Sequence, residues 1–153
     1  MLHNMSVVDD LRECDGDLQQ VTETERGQLI KARIGQGRFR EALLQHWRGC
    51  AITGVDRTDL VRASHIKPWR LSNNEERLNP FNGLLLLPQY DHLFDAGYIT
   101  FDNDGVLKRS VAIANLEETT LGIEANARLR NITDEHRLFL TFHREHLFAR
   151  KTV

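Results

Sequence analysis

Three short segments gather the residue types that hydrolytic chemistry needs. His65 lies in Ala63-Ser64-His65-Ile66-Lys67-Pro68-Trp69, at the end of an apolar run that reads as a strand. Asn82 opens Asn82-Gly83-Leu84-Leu85-Leu86-Leu87, a second apolar run. Asp91 and Asp95 bracket Asp91-His92-Leu93-Phe94-Asp95, on a short helical pattern that follows Pro88. An imidazole with an unperturbed pKa of about 6.5 can take a proton from water near neutral pH. Two carboxylates four positions apart fall on one face of a helix. Oxygen ligands of that kind suit Mg²⁺ or Mn²⁺ better than zinc. Asn82 can donate and accept at once, and so fix a loop. Opening a phosphodiester needs such parts: a base for water, a cation for the developing charge, and donors for the phosphate.

Each segment also has a plainer reading. A lone histidine at a strand end is ordinary, but Asn82 and Asp91 downstream favour chemistry for His65. Asn82-Gly83 could be a simple turn. Asp95 could cap or salt-bridge its helix, and His92 could be a surface residue.

The elements that must position these residues follow from local pattern. Residues 1–21 are polar and acidic and read as an N-terminal arm, and residues 22–153 as a single domain with its motif core over 50–110. Thr22-Glu-Thr-Glu25 fits a capping box and starts a helix carrying Leu29, Ile30 and Ile34, ended by Gly35. Arg38 to Arg48 reads as a second helix, with Phe39, Leu43, Leu44 and Trp47 at helical spacing and Gly49 as its stop. Gly35-Gln-Gly37 would be a corner between them, either a phosphate-tracking loop or a plain turn. Cys50–Thr53 and Leu60–Ser64 suggest a hairpin, and Asn103-Asp104-Gly105 marks another between 98–102 and 106–110. Thr133 opens a C-terminal helix with Leu138, Phe139, Phe142 and Leu147 on one face. His136, His143 and His146 on that stretch have no Cys or carboxylate pattern beside them and read as a solvated face. Residues 111–132 give no clear pattern.

Composition bounds the function classes. The chain has 153 residues, 41% hydrophobic and 27% charged, an ordinary globular mixture. No apolar run approaches the roughly 20 residues that cross a bilayer. The N-terminus shows no signal-peptide pattern, so the cytoplasm is the expected location and no membrane partner is expected. Two cysteines exclude a four-cysteine zinc site within the chain, and Cys50, in an apolar run, reads as a small buried hydrophobe. The net charge of -2 hides an uneven distribution. Residues 9–25 are strongly acidic, whereas Lys31, Arg33, Arg38, Arg40 and Arg48 face only Glu41 between positions 31 and 48. Such a local cationic surface can meet phosphates, and can equally be a solvated helix face.

The ordered words TETERGQLIKARIGQGRFR, CAITG, RASHIKPW, ERLNPFNGLLLLPQYDHLFDAGYITFDNDG and FHREHLF resemble bacterial HNH endonucleases, many of them tied to restriction or defence. The resemblance implies an α+β fold: a ββα-metal (His-Me finger) HNH core with N-terminal helices and a C-terminal helix. It puts the general base on His65 and the support of the base's loop on Asn82. The metal ligand falls on Asp91, nine positions after that Asn, with Mg²⁺ or Mn²⁺ as the cofactor. It implies duplex DNA as substrate, approached from the minor-groove side, and 5′-phosphate and 3′-hydroxyl products. Many relatives carry an Asp or His ligand just before the base, where this chain has Ser64; Asp95 is the candidate replacement. A helix turns about 100° per residue, so Asp91 and His92 do not readily point at one ion. Lys31, Arg33, Arg38, Arg40, Lys67 and Arg70 are the candidate DNA contacts, and Trp69 either lines the groove or belongs to the core. The rival readings are a non-catalytic HNH-shaped module that binds DNA or protein, and a nuclease that needs a partner protein for targeting.

Overall fold

The computed structural model describes residues 22–148, so the acidic arm over 1–21 lies outside the described residues. Helix α1 (Glu23–Trp47) begins at the capping box the sequence predicts: the Glu25 N–H donates to Thr22 Oγ1, and the Thr22 N–H to Glu25 Oε2. It then runs 25 residues without a break, so the two helices and the corner expected at Gly35–Gly37 are one helix. Each interior glycine costs a helix about 1 kcal/mol relative to alanine. Packing outweighs that here. Gly37 is buried, and a Cβ on Gly35 would stand 3.2 Å from Leu78 Cδ2.

Strand β1 (Arg62–His65) pairs antiparallel with β2 (Gly83–Leu86), with His65 opposite Gly83 and Arg62 opposite Leu86. The expected hairpin between 50–53 and 60–64 does not form. Residues 51–53 make a turn closed by the Gly54 N–H donating to the Cys50 carbonyl. The Ala51 N–H donates to the Leu85 carbonyl, so this turn leans on β2 instead. The reason is burial: all four residues of β2 are sealed, and that apolar ribbon is the better partner for β1. Gly83 makes this possible, since a Cβ there would lie 2.5 Å from Phe39 Cζ and 2.7 Å from Leu43 Cδ2. Helix α1 therefore rests directly on the start of β2.

The loop between the strands contains a short helix, α2 (Asn74–Leu78), capped reciprocally by Asn73 and Glu76. After β2, Pro88 starts α3 (Pro88–Asp95), which turns Tyr90 and Phe94 into the core. Strands β3 (Ile99–Phe101) and β4 (Leu107–Arg109) form the expected second hairpin. Residues 111–132, illegible in sequence, hold a short 3-10 turn and α4 (Glu118–Leu121). Helix α5 (Asp134–His143) starts after Thr133, as predicted, but in a different phase. Leu138 is 75% exposed, and the buried row is His136, Leu140 and His143. The expectation of a solvated histidine face is thus corrected: two of the three imidazoles are sealed in the core and only His146 is exposed. Cys50 is a free, buried residue, as read. The described residues form an α+β arrangement of helices around two small antiparallel sheets. Among the described residues no helix is long and apolar enough to cross a membrane.

Candidate active site

His65 ends β1 with its ring wedged between two aromatics. Phe39 of α1 stacks on it at 3.9 Å with an 8° interplanar angle, and Trp69 meets it edge-on at 5.8 Å. Its Nε2 lies 2.9 Å from the Arg77 carbonyl oxygen. A carbonyl can only accept, so Nε2 carries the hydrogen and the lone pair sits on Nδ1. Burial lowers the pKa of this imidazole; the Arg77 carbonyl works against that shift and the Arg77 charge adds to it. A neutral ring with one lone pair is what a base needs.

Asn82 is fully buried beneath the same loop. Its Oδ1 accepts from the Lys67 N–H at 2.8 Å, and its Nδ2 donates to the Glu76 carbonyl at 3.0 Å. Both ends of the loop from Lys67 to Glu76 therefore hang from one amide. The carbonyl that holds His65 belongs to the very next residue, Arg77.

Asp91 stands in the first turn of α3, half-buried. Burial is the main cause that raises its pKa, and Asp95 one turn later adds to it. A hydrogen bond from Ser64, together with Arg62 and His92, pulls the other way. Ser64, just before His65, lines the same lobe of the cleft as Asp91. His65 and Asp91 line one cleft of about 600 Å³ between α1, β1 and α3, together with Arg33, Arg40, Arg62 and Trp69. A smaller lobe of about 450 Å³ brings Ser64, His65, Asp91, Asp95 and Arg70 together. His92 is exposed and lines neither. The imidazole and the acid share a pocket.

Residues 50–102 match the family model of HNH endonucleases. The match points to a nuclease-type function for this segment. No curated protein matches the chain. The HNH segment covers β1 to β3 and includes His65, Asn82 and Asp91, whereas α1 and α5 lie outside it. Phe39, which flattens the His65 ring, therefore comes from outside the matched stretch.

The cations expected to meet DNA divide into groups. Arg33 borders the His65 cleft and Arg70 its smaller lobe, whereas Lys31 and Arg38 lie in a different groove. Arg40 is engaged within the fold: its guanidinium donates to the carbonyls of Val61 at 3.0 Å and Thr58 at 2.5 Å. Lys67 likewise pairs with Glu76 at 2.8 Å and sits 4.9 Å above the Phe142 ring. Trp69 is half-buried and borders the cleft.

Sequence reasoning passed over Arg62 and Arg77. Arg62 is an exposed cation at the cleft beside Asp91, hidden because it lies inside a run read only as a strand. Arg77 contributes through its backbone, which leaves no trace in residue type. The capping pattern Asn73-x-x-Glu76 was the available clue to α2.

Proposed function

We propose that the protein is a metal-dependent HNH endonuclease that hydrolyses DNA phosphodiester bonds, with His65 as general base. The observation that carries the reading is the shared cleft of His65 and Asp91. His65 Nδ1 takes the proton of a water lined up against phosphorus, while the Arg77 carbonyl keeps Nε2–H fixed so that the ring cannot turn its donor toward the water. Asn82 holds the loop that presents that carbonyl. Arg33, Arg62 and Arg70 border the cleft and its lobe, where they can neutralise the phosphate.

Among the described residues no three His, Cys, Asp or Glu side chains form a closed metal cage. Apart from the His65 imidazole, which this reading reserves as the base, the donors at the lobe are the oxygens of Asp91, Asp95 and Ser64. Such a set fits Mg²⁺ or Mn²⁺, which keep several waters and are held by one or two carboxylates plus substrate phosphates. Bound there, the ion supplies charge neutralisation at the phosphate and the departing 3′ oxygen. In this reading residues 22–153 work as one catalytic unit in the cytoplasm, in restriction or defence, with a partner protein as one route to targeting.

Plasmid DNA with Mg²⁺ or Mn²⁺ tests this directly. The wild-type chain nicks it, chelation stops the nicking, and His65→Ala and Asp91→Ala each lose it. Equal nicking by His65→Ala removes His65 from the mechanism. Ser64 in place of a metal ligand favours a second reading, a non-catalytic HNH-shaped module that binds DNA or protein. Calorimetry decides between them: the enzyme takes up Mn²⁺ and Asp91→Ala abolishes the uptake, whereas the module shows neither.

A further inference from the structure

A second groove of about 790 Å³ shares the Trp69 indole with the His65 cleft. It lies between α1 and α2, and its charged lining is Lys31, Arg38 and Arg77, with no acid among the residues that form it. Lys31 and Arg38 are exposed and seven positions apart on α1. That is about 10 Å along the helix, close to three phosphate steps of one strand at roughly 3.4 Å each along a duplex axis. Arg77 is the fixed member. Its Nε donates to the Trp69 carbonyl at 3.0 Å and its guanidinium lies over the indole, 4.4 Å from the ring centroid. Its backbone carbonyl meanwhile holds His65.

We infer that this second groove binds phosphates of the same polynucleotide on one side of the scissile bond, so that the substrate must extend across Trp69. The inference rests on the nuclease reading for which phosphate is cut. It rests on the groove itself for the contact. A groove whose charged residues are all cations, continuous with the His65 cleft through one indole, suits a regularly charged backbone better than an isolated anion. It also explains why the basic stretch of α1 faces two grooves: Arg33 borders the cleft, whereas Lys31 and Arg38 border its neighbour.

The test is the salt dependence of duplex binding, read by fluorescence anisotropy on a labelled duplex of about three helical turns. The His65→Ala background keeps the duplex intact. Lys31→Ala/Arg38→Ala is expected to weaken binding about tenfold at low salt and to reduce the slope of log K against log salt by about 2. Lys31→Gln/Arg38→Gln gives the same slope change if charge rather than helix packing is responsible. Lys108→Ala, an exposed cation outside both grooves, leaves affinity and slope as they were. An unchanged slope in both double variants overturns the inference, as does a chain that binds no duplex. Competition by poly-glutamate as effective as by DNA also overturns it, in favour of an acidic protein partner. Hydrolysis of bis(p-nitrophenyl) phosphate by the chain with native His65 is scored separately. Its absence sinks the nuclease reading and leaves the slope result standing.

Discussion

Two histidines of this protein sit in nearly the same surroundings and have opposite prospects. His65 stacks on Phe39 at 3.9 Å and 8°; His143 stacks on Phe94 at 3.9 Å and 7°. Each has Nε2 at 2.9 Å from a backbone carbonyl, that of Arg77 for His65 and that of Phe94 for His143. The difference lies at the other nitrogen. His143 Nδ1 is bonded to Thr100 Oγ1 at 2.8 Å inside a sealed core, while the ring of His65 borders the cleft beside Asp91. Stacking and a carbonyl fix an imidazole. Only an accessible second nitrogen makes it a base.

The largest expected effect tests that contrast head-on. His65→Ala should lower metal-dependent nicking on the order of 10²–10⁴-fold in protein that remains folded, with a smaller loss in the urea midpoint than His143→Ala because the ring is only partly buried. His143→Ala should do the reverse, costing about 2–5 kcal/mol of stability through a core cavity and leaving folded protein that still nicks. A His143 variant of full stability and no activity would break the comparison.

Next comes the support of the active ring. Asn82→Ala removes buried hydrogen bonds to Lys67 and Glu76 and should cost about 1–3 kcal/mol in urea unfolding. It should also lower kcat more than it raises KM, because the Arg77 carbonyl loses its footing. A loss of stability with kcat intact would show that His65 is held without the loop.

The pH dependence of stability sharpens the buried side of the comparison. Burial pushes His136 and His143 down to about 4, from the ordinary imidazole value of 6.5. Between those values the unfolded chain binds more protons than the folded one, so stability rises with pH across that window. Acidification from pH 6.5 toward 4 should therefore lower the urea midpoint progressively, and His143→Phe should flatten the slope. The smallest effect separates two arginines of one helix. Arg40→Ala should cost about 1 kcal/mol through its lost carbonyl contacts. Arg38→Ala, exposed on α1, should stay within about 0.5 kcal/mol.

The local parts of the fold were legible because they are written in short-range pattern. The α1 cap at Thr22, the start of α3 at Pro88 and the hairpin around Asn103-Asp104-Gly105 each depend on neighbours within a few residues. The phase of α5 was not. Its sequence offers Leu138 and Phe139 to one face, yet the core takes His136, Leu140 and His143 because Thr100 and the Phe94 carbonyl are there to bond the imidazole of His143. The break expected at Gly35–Gly37 failed for a similar reason, since Leu78 and the interior wanted the helix close.

By itself the sequence determined the residue types of the candidate site and their order: His65 on a strand, Asn82 before the next, Asp91 on the helix that follows. It could do so because strand, turn and helix propensities act locally. Tertiary structure alone decided that β1 pairs with β2, that Phe39 and the Arg77 carbonyl orient His65, and that Arg40 and Lys67 serve the fold. Those outcomes depend on which distant groups are desolvated together, and burial is a property of the whole packed chain rather than of any window along it.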